Sequence, residues 1–214
     1  MLVDHLVYAA PDLATAVADM EQHFGVRPQN GGKHIGLGTH NALLALGSRT
    51  YLEIIAPDPK QPEPPMPRPF GLDGITHSRL AAWALACSDI DQTIAEARGR
   101  GYDPGPVIDG QRLGPTGTVI RWRAAVNELA DSLVPFLICW GDTEHPAASA
   151  PAGLILDSVT IEHPDPHPSD CRSSLSAPTS RSSPRRLLHS WPTSAVQTAT
   201  GFCADLSCAT RRER

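Results

Sequence analysis

Aromatic residues are scarce in this chain, and lysine scarcer still. Phe, Trp and Tyr make up 5% of the 214 residues, and lysine occurs only as Lys33 and Lys60. With a net charge of −5 and no dense basic stretch, the chain lacks the electrostatic footprint of a nucleic-acid binder. No apolar run approaches the roughly 18 residues that a membrane span needs, and no charged-then-apolar leader opens the chain. Its five cysteines (Cys87, Cys139, Cys171, Cys203, Cys208) show neither C-x-x-C spacing nor an even framework, so they read as reduced thiols. These absences remove nucleic-acid, membrane and disulfide-scaffold classes. A soluble cytoplasmic protein is the expectation.

What is present is a pattern that recurs with decreasing fidelity. Asp4-His5-Leu6-Val7-Tyr8-Ala9-Ala10-Pro11-Asp12-Leu13 is echoed by Ala81–Ile90 and again by Asp157–Pro166. Each is a short apolar run that ends near an aspartate, which reads as a buried strand feeding a capped helix. After Asp12, the apolar residues Leu13, Val17, Met20 and Phe24 keep helical spacing, and Gly25 stops them. Positions 12, 13, 17 and 20 map at constant offset onto Asp89, Ile90, Ile94 and Ala97, so the frame is an internal duplication.

Both copies continue alike. A glycine-rich loop (Gly31, Gly32, Gly36, Gly38) precedes strands at 41–46 and 51–56, and a Gly/Pro-rich stretch at 103–117 precedes strands at 118–126 and 135–140. The organisation read from this is a first module at 1–57, a Pro-rich linker at 58–79 and a second module at 80–145. A third βα unit starts at 146–166, and a tail follows at 167–214. The prolines between Pro57 and Pro69 make that stretch an extended spacer. The tail is rich in Ser, Pro, Thr, Arg and Ala, and keeps no helix or strand period. It is expected to be disordered or to follow a disturbed reading frame near residue 167.

Strand alternation puts His5 and Val7 on one face of the first strand, and Tyr51, Glu53 and Ile55 on one face of the fourth. A carboxylate inside Tyr-Leu-Glu-Ile-Ile-Ala is the strongest local anomaly, because an uncompensated buried charge costs several kcal/mol. Glu53 therefore needs a metal, a cation or a hydrogen-bond donor, and His5 with Glu53 makes half of an N/O metal site. Arg121 and Arg123 share a face in 118–126. They are candidates for pairing with Glu53 or gripping an anionic substrate, unless that face meets solvent. His34, Thr39, His40 and Asn41 lie where a loop enters a strand, and border the expected pocket. Trp83, Trp122 and Trp140 are candidate core or pocket-wall rings, and Cys139 is a candidate on the pocket side beside Leu137.

These strings resemble a known family. Asp4-His5-Leu6-Val7, His34-x-Gly36-x-Gly38-Thr39-His40-Asn41, Tyr51-Leu52-Glu53-Ile54-Ile55-Ala56-Pro57 and Pro135–Asp142 are similar to the glyoxalase-like branch of the vicinal oxygen chelate superfamily. The resemblance implies an α+β fold of paired βαβββ modules, whose curved mixed sheets form a cup around a small-molecule site. It implies catalytic and metal-binding roles for His5 and Glu53, with one divalent ion (Fe, Mn, Ni or Zn) or none. His34, Thr39, Asn41, Arg121, Arg123, Trp83 and Cys139 are then the substrate-binding set. The implied partner is a small oxygen-rich molecule, with isomerase, lyase or dioxygenase chemistry as one outcome and metal-free binding or an inactive product as the others. A homodimer is compatible with either. The departure is that the repeat sets Ala82 opposite His5 and Leu137 opposite Glu53, and neither can bind metal. If one ion joins His5 to Glu53, their side chains should lie within about 5 Å, the span that two bonds of roughly 2.1 Å allow.

Overall fold

The computed structural model describes residues 2–127, 134–159 and 175–176. The expectations for positions 160–166 of the third repeat, and for the tail other than 175–176, lie outside the described residues.

The first copy of the repeat forms β1 (Val3–Ala9) and α1 (Leu13–Phe24), and the second forms β5 (Arg79–Ala86) and α2 (Ile90–Gly99). Both helices start the same way. The Asp12 carboxylate accepts from the Thr15 N–H at 2.8 Å, and that of Asp89 from the Gln92 N–H at 3.0 Å. Gly25 ends α1 at φ 71°, where its N–H donates to the Glu21 carbonyl.

Three further strands follow each helix. They are β2 (Gln29–His34), β3 (Thr39–Ala45) and β4 (Tyr51–Pro57), then β6 (Val107–Leu113), β7 (Val119–Ala125) and β8 (Phe136–Cys139). The eight close into a barrel in the order β1-β4-β3-β2-β6-β7-β8-β5. Each module pairs its first strand in parallel with its own last, through Val7↔Glu53 and Leu85↔Leu137. The modules meet along a long antiparallel seam between β1 and β5, and at a short one between β2 and β6 with the single pair Lys33↔Leu113.

Two of these strands run through segments that the sequence presents as glycine-rich loops. The reason is close approach rather than turning. A Cβ on Gly31 would stand 2.4 Å from Asn41 Oδ1, one on Gly32 2.1 Å from the Leu113 carbonyl oxygen, and one on Gly110 2.2 Å from the Trp122 ring. Glycine in β2 and β6 is what lets a neighbouring strand and two interior side chains press against the backbone. Gly31→Ala is accordingly expected to cost about 1–3 kcal/mol, the range for overpacking a filled interior, seen as a lowered midpoint in chemical denaturation.

Alternation divides the residues into an inner and an outer layer. Outside, Leu6, Leu44, Leu52, Ile54 and Trp83 pack under Ala16, Met20 and Phe24 of α1, joined by Leu154, Leu156 and Val159 from the chain after the barrel. On the other module Ile90 and Ile94 of α2 cover Ala125 and Leu137. Inside, Val7, Ala9, Ile55 and Ala82 pack with Leu72, Phe70 and Phe136. The Pro-rich segment thus returns to the barrel. Arg68 donates to the Gly38 carbonyl and to Glu63 and Asp73, and Phe70 (φ 60°) sets its ring 6.1 Å from that of Phe136. A two-residue ladder, β9 (Ser158–Val159) with β10 (Leu175–Ser176), forms a separate small sheet. No helix among the described residues is long and apolar enough to cross a membrane.

Candidate functional site

The interior polar cluster starts at a bulge. The register of β1 against β5 shifts between Val3 and His5, and both Asp4 and His5 are buried with their side chains engaged inside the barrel. The Asp4 carboxylate takes His5 Nδ1 at 2.7 Å, Trp140 Nε1 at 3.1 Å and His145 Nε2 at 3.2 Å. Burial pushes the Asp4 carboxyl up, but the hydrogen bonds from His145 and His5 outweigh it and hold the pKa at about 2. An ionised carboxylate can only accept, so His5 Nδ1 carries a proton and Nε2 is turned the other way. The ring is fixed further by stacking on Tyr51 at 4.7 Å and by the edge of Phe136 at 5.3 Å.

His5 Nε2 faces Glu53 Oε2 at 3.9 Å, and His34 Nε2 stands 3.7 Å from Glu53 Oε1. Both distances are too long for direct hydrogen bonds. The one hydrogen bond to Glu53 among the described residues comes from Asn41, whose Nδ2 donates to Oε1 at 2.6 Å. Oε1 is therefore held, while Oε2 accepts no hydrogen bond among the described residues and is not a fully buried atom. His34 is oriented by Thr39 Oγ1 at 3.0 Å from its Nδ1, and burial lowers its pKa against the opposing pull of Glu53, so the ring is neutral at neutral pH. Burial also raises the Tyr51 hydroxyl well above its ordinary value, with the Glu53 and Asp4 charges adding to it.

Five of the residues expected from the sequence meet here: His5, Glu53, His34, Thr39 and Asn41. Four others do not. Arg121 and Arg123 point outward and are exposed, because the inner positions of β7 belong to Ile120 and Trp122, and Arg123 pairs with Asp91 of α2 at 2.8 Å. Trp83 belongs to the outer core under α1. Cys139 lies on the outer face beside Cys87, its thiol donating to the Ser88 carbonyl. Leu137 also turns outward onto α2, and Phe136 is the β8 residue turned in against His5. A one-residue shift of register exchanges the two faces of a strand.

Asp4, Tyr51, Phe136, His145 and Arg112 complete the interior, and sequence reasoning gave none of them a role there. Asp4 was legible only as a neighbour of His5, and the bulge that turns it inward leaves no mark in the sequence. Arg112 is hidden in the stretch read as a loop, although Gly110 and Arg112 alternate toward the inner face.

The donors can be tested for a resident metal ion. His5 Nε2 and Glu53 Oε2, 3.9 Å apart, span the distance one ion would bridge, but among the described residues no group of three His, Cys, Asp or Glu is placed to hold one. His34 lies by the other oxygen, which the Asn41 amide already occupies. The residues present do not fit a metal held by the protein alone.

Paired βαβββ modules closed into one barrel define a protein of the vicinal oxygen chelate type. More particularly, the chain belongs to the glyoxalase-like domain family, whose profile matches residues 3–175. No curated protein matches it. Among solved structures, a hypothetical protein from Staphylococcus aureus is similar at 16% identity and TM-score 0.51, over 66% of this chain and 59% of that one. The chain thus spans little more than half the length of that protein. Methylmalonyl-CoA epimerase from Mycobacterium tuberculosis aligns at 22% identity and TM-score 0.45, over 69% of this chain and 91% of that chain. The Streptomyces coelicolor epimerase in complex with 2-nitronate-propionyl-CoA aligns at 18% identity and TM-score 0.46, over 68% and 99%. Such likenesses concern the fold.

Proposed function

We propose that the protein binds a small oxygen-rich molecule inside the barrel and moves a proton at a carbon next to one of its carbonyl groups, with Glu53 as proton acceptor. The observation that carries this is the unequal state of the two Glu53 oxygens: Oε1 is pinned by Asn41, while Oε2 is open and faces His5 Nε2. A carboxylate fixed through one oxygen presents the other in a defined direction, which is what proton abstraction requires. Neutral His34 and the His5 ring flank the space where charge develops on the substrate oxygen, and can donate or accept there. Asp4 keeps the proton of His5 on Nδ1 and so sets what Nε2 offers. The bond broken is C–H. The proton goes to Glu53, the C–H pair forms a C=C bond to the adjacent carbonyl carbon, the C=O π pair moves onto the carbonyl oxygen, and return of the proton to the same or another carbon completes an isomerase-type turnover.

A divalent ion would find two protein donors, His5 and Glu53, and would need the rest from the substrate. Metal analysis of protein purified without chelators, repeated on His5→Ala, checks this directly. Stoichiometric metal that is lost in the variant would place Lewis-acid chemistry at the site and replace the reading above.

The function itself is tested by incubation in deuterated water with a panel of small carbonyl compounds and hydroxy acids, with mass spectrometry of the recovered compounds. Deuterium incorporation is expected with the wild-type protein and lost in Glu53→Gln. Equal incorporation by both proteins, or none with any compound, overturns the reading.

A further inference from the structure

Arg112 is an interior cation with no carboxylate bonded to it among the described residues. It is 5% exposed, and it enters no salt bridge among the described residues. Its Nη1 donates to the Gly31 carbonyl, a neutral acceptor, and Nε and Nη2 have no acceptor among the described residues. Those nitrogens are not sealed away either, since the Asn41 Oδ1 is the only side-chain polar atom both fully buried and unsatisfied among them. A buried guanidinium with no carboxylate bonded to it is costly, whereas Arg68 pairs with Glu63 and Asp73 and Arg123 with Asp91. Position matters too. Arg112 shares the inner face of the β6–β7 pair with Trp122, and its charge is felt at Tyr51, Glu53 and His34. Arg112 and Glu53 thus both belong to the barrel interior, on β6 and β4.

We propose that Arg112 anchors the substrate through a carboxylate, so that the small molecule taken into the barrel is a carboxylic acid. A two-pronged pair of N–H groups matches the two oxygens of a carboxylate, and a bound anion would give those groups a charged acceptor. A phosphate is disfavoured by the donor set: among the described residues Arg112 lies in a strand pair with no helix start, and the neighbouring Lys33 is engaged with Asp58. The inference rests on the proposed role of Glu53 only for where the reacting carbon lies. The binding step stands by itself and is read by itself.

The experiment uses the full chain and follows the Arg112 Nε–H resonance by nitrogen-edited NMR during titration with acetate, pyruvate, acetamide, pyruvamide and inorganic phosphate. Acetate and pyruvate are expected to shift the resonance saturably, while the two amides leave it in place. Arg112→Lys, which keeps the charge but loses the fork, should weaken pyruvate binding about ten-fold or more, read by tryptophan fluorescence. Glu53→Gln should leave pyruvate binding intact or tighten it, because a like charge is removed. Loss of exchange with retained binding would therefore sink nothing here, and retained exchange in Glu53→Gln would remove the acceptor role without touching the anchor. The proposal is overturned if the wild-type resonance does not move with either carboxylate, if the amides move it equally, or if phosphate alone does so. The wild-type resonance decides the matter even where a variant fails to fold.

Discussion

Glu53→Gln is expected to lower the rate of C–H exchange by about 10²–10⁴-fold while leaving the fold intact, because the variant removes a proton acceptor and little else. Glutamine has the same shape, and its carbonyl can still accept the Asn41 amide that now reaches Oε1 at 2.6 Å. Among the described residues the group replacing Oε2 meets no hydrogen-bond partner that it could offend, since the His5 nitrogen stands 3.9 Å away. Removing a carboxylate from a buried position also removes its desolvation cost. The denaturation midpoint should accordingly move little, and a large loss of exchange at unchanged stability would mark a chemical role. A parallel loss of both would make Glu53 a structural residue. Measuring exchange rate and unfolding on the same preparation separates the two.

The second large effect is on stability. Asp4→Ala leaves the donors of His5, Trp140 and His145 without their common acceptor inside the barrel, and a cost of about 3–5 kcal/mol is expected. Chemical denaturation at neutral pH reads this directly. The wild-type protein should show the same contribution through pH. The Asp4 pKa is depressed in the folded state to about 2 from the ordinary 3.8. A depressed carboxyl contributes stability that is fully present above the unfolded-state value and is lost as pH falls through the folded one. The loss should therefore fall between about pH 4 and pH 2 and amount to about 2 kcal/mol. Asp4→Asn, which keeps an acceptor but not the charge, should flatten the stability profile across that window. A variant whose profile still falls as steeply there would show that other carboxyls carry the acid sensitivity.

Much of the fold was written in local signals. The two Asp caps, the shared helical spacing and the alternation in 3–9 and 51–57 lie in short windows, where period and capping report directly. The placement of His5 beside Glu53 was legible for the same reason, since both interrupt apolar strands on their inner faces. Strands β2 and β6 were not legible, because Gly31, Gly32 and Gly110 signal a turn equally well, and only the approach of Asn41, Leu113 and Trp122 explains them. Faces were harder than elements. Arg121 and Arg123 against Ile120 and Trp122 gave two self-consistent alternations, and the choice was made by α2 packing over the outer face of β7 and β8. Asp4 depended on a bulge, and Leu137 on a one-residue shift of register. Pairing across distant strands fixes both, and no local window contains it.

The ring of strands has a consequence for how the chain can go wrong. Neither half closes on itself: the first would leave β1 and β2 as bare edges, the second β5 and β6. Unpaired edges recruit other strands, so a molecule caught with only its first half folded is sticky along both sides. The partner it needs is also present in every other copy. Two molecules that exchange their second halves across the Pro-rich segment would rebuild two intact rings from the same contacts, with nothing new to bind and only the path of that segment altered. The stiffness of a proline-dense connection between the halves therefore bears on whether the ring is completed within one chain or between two.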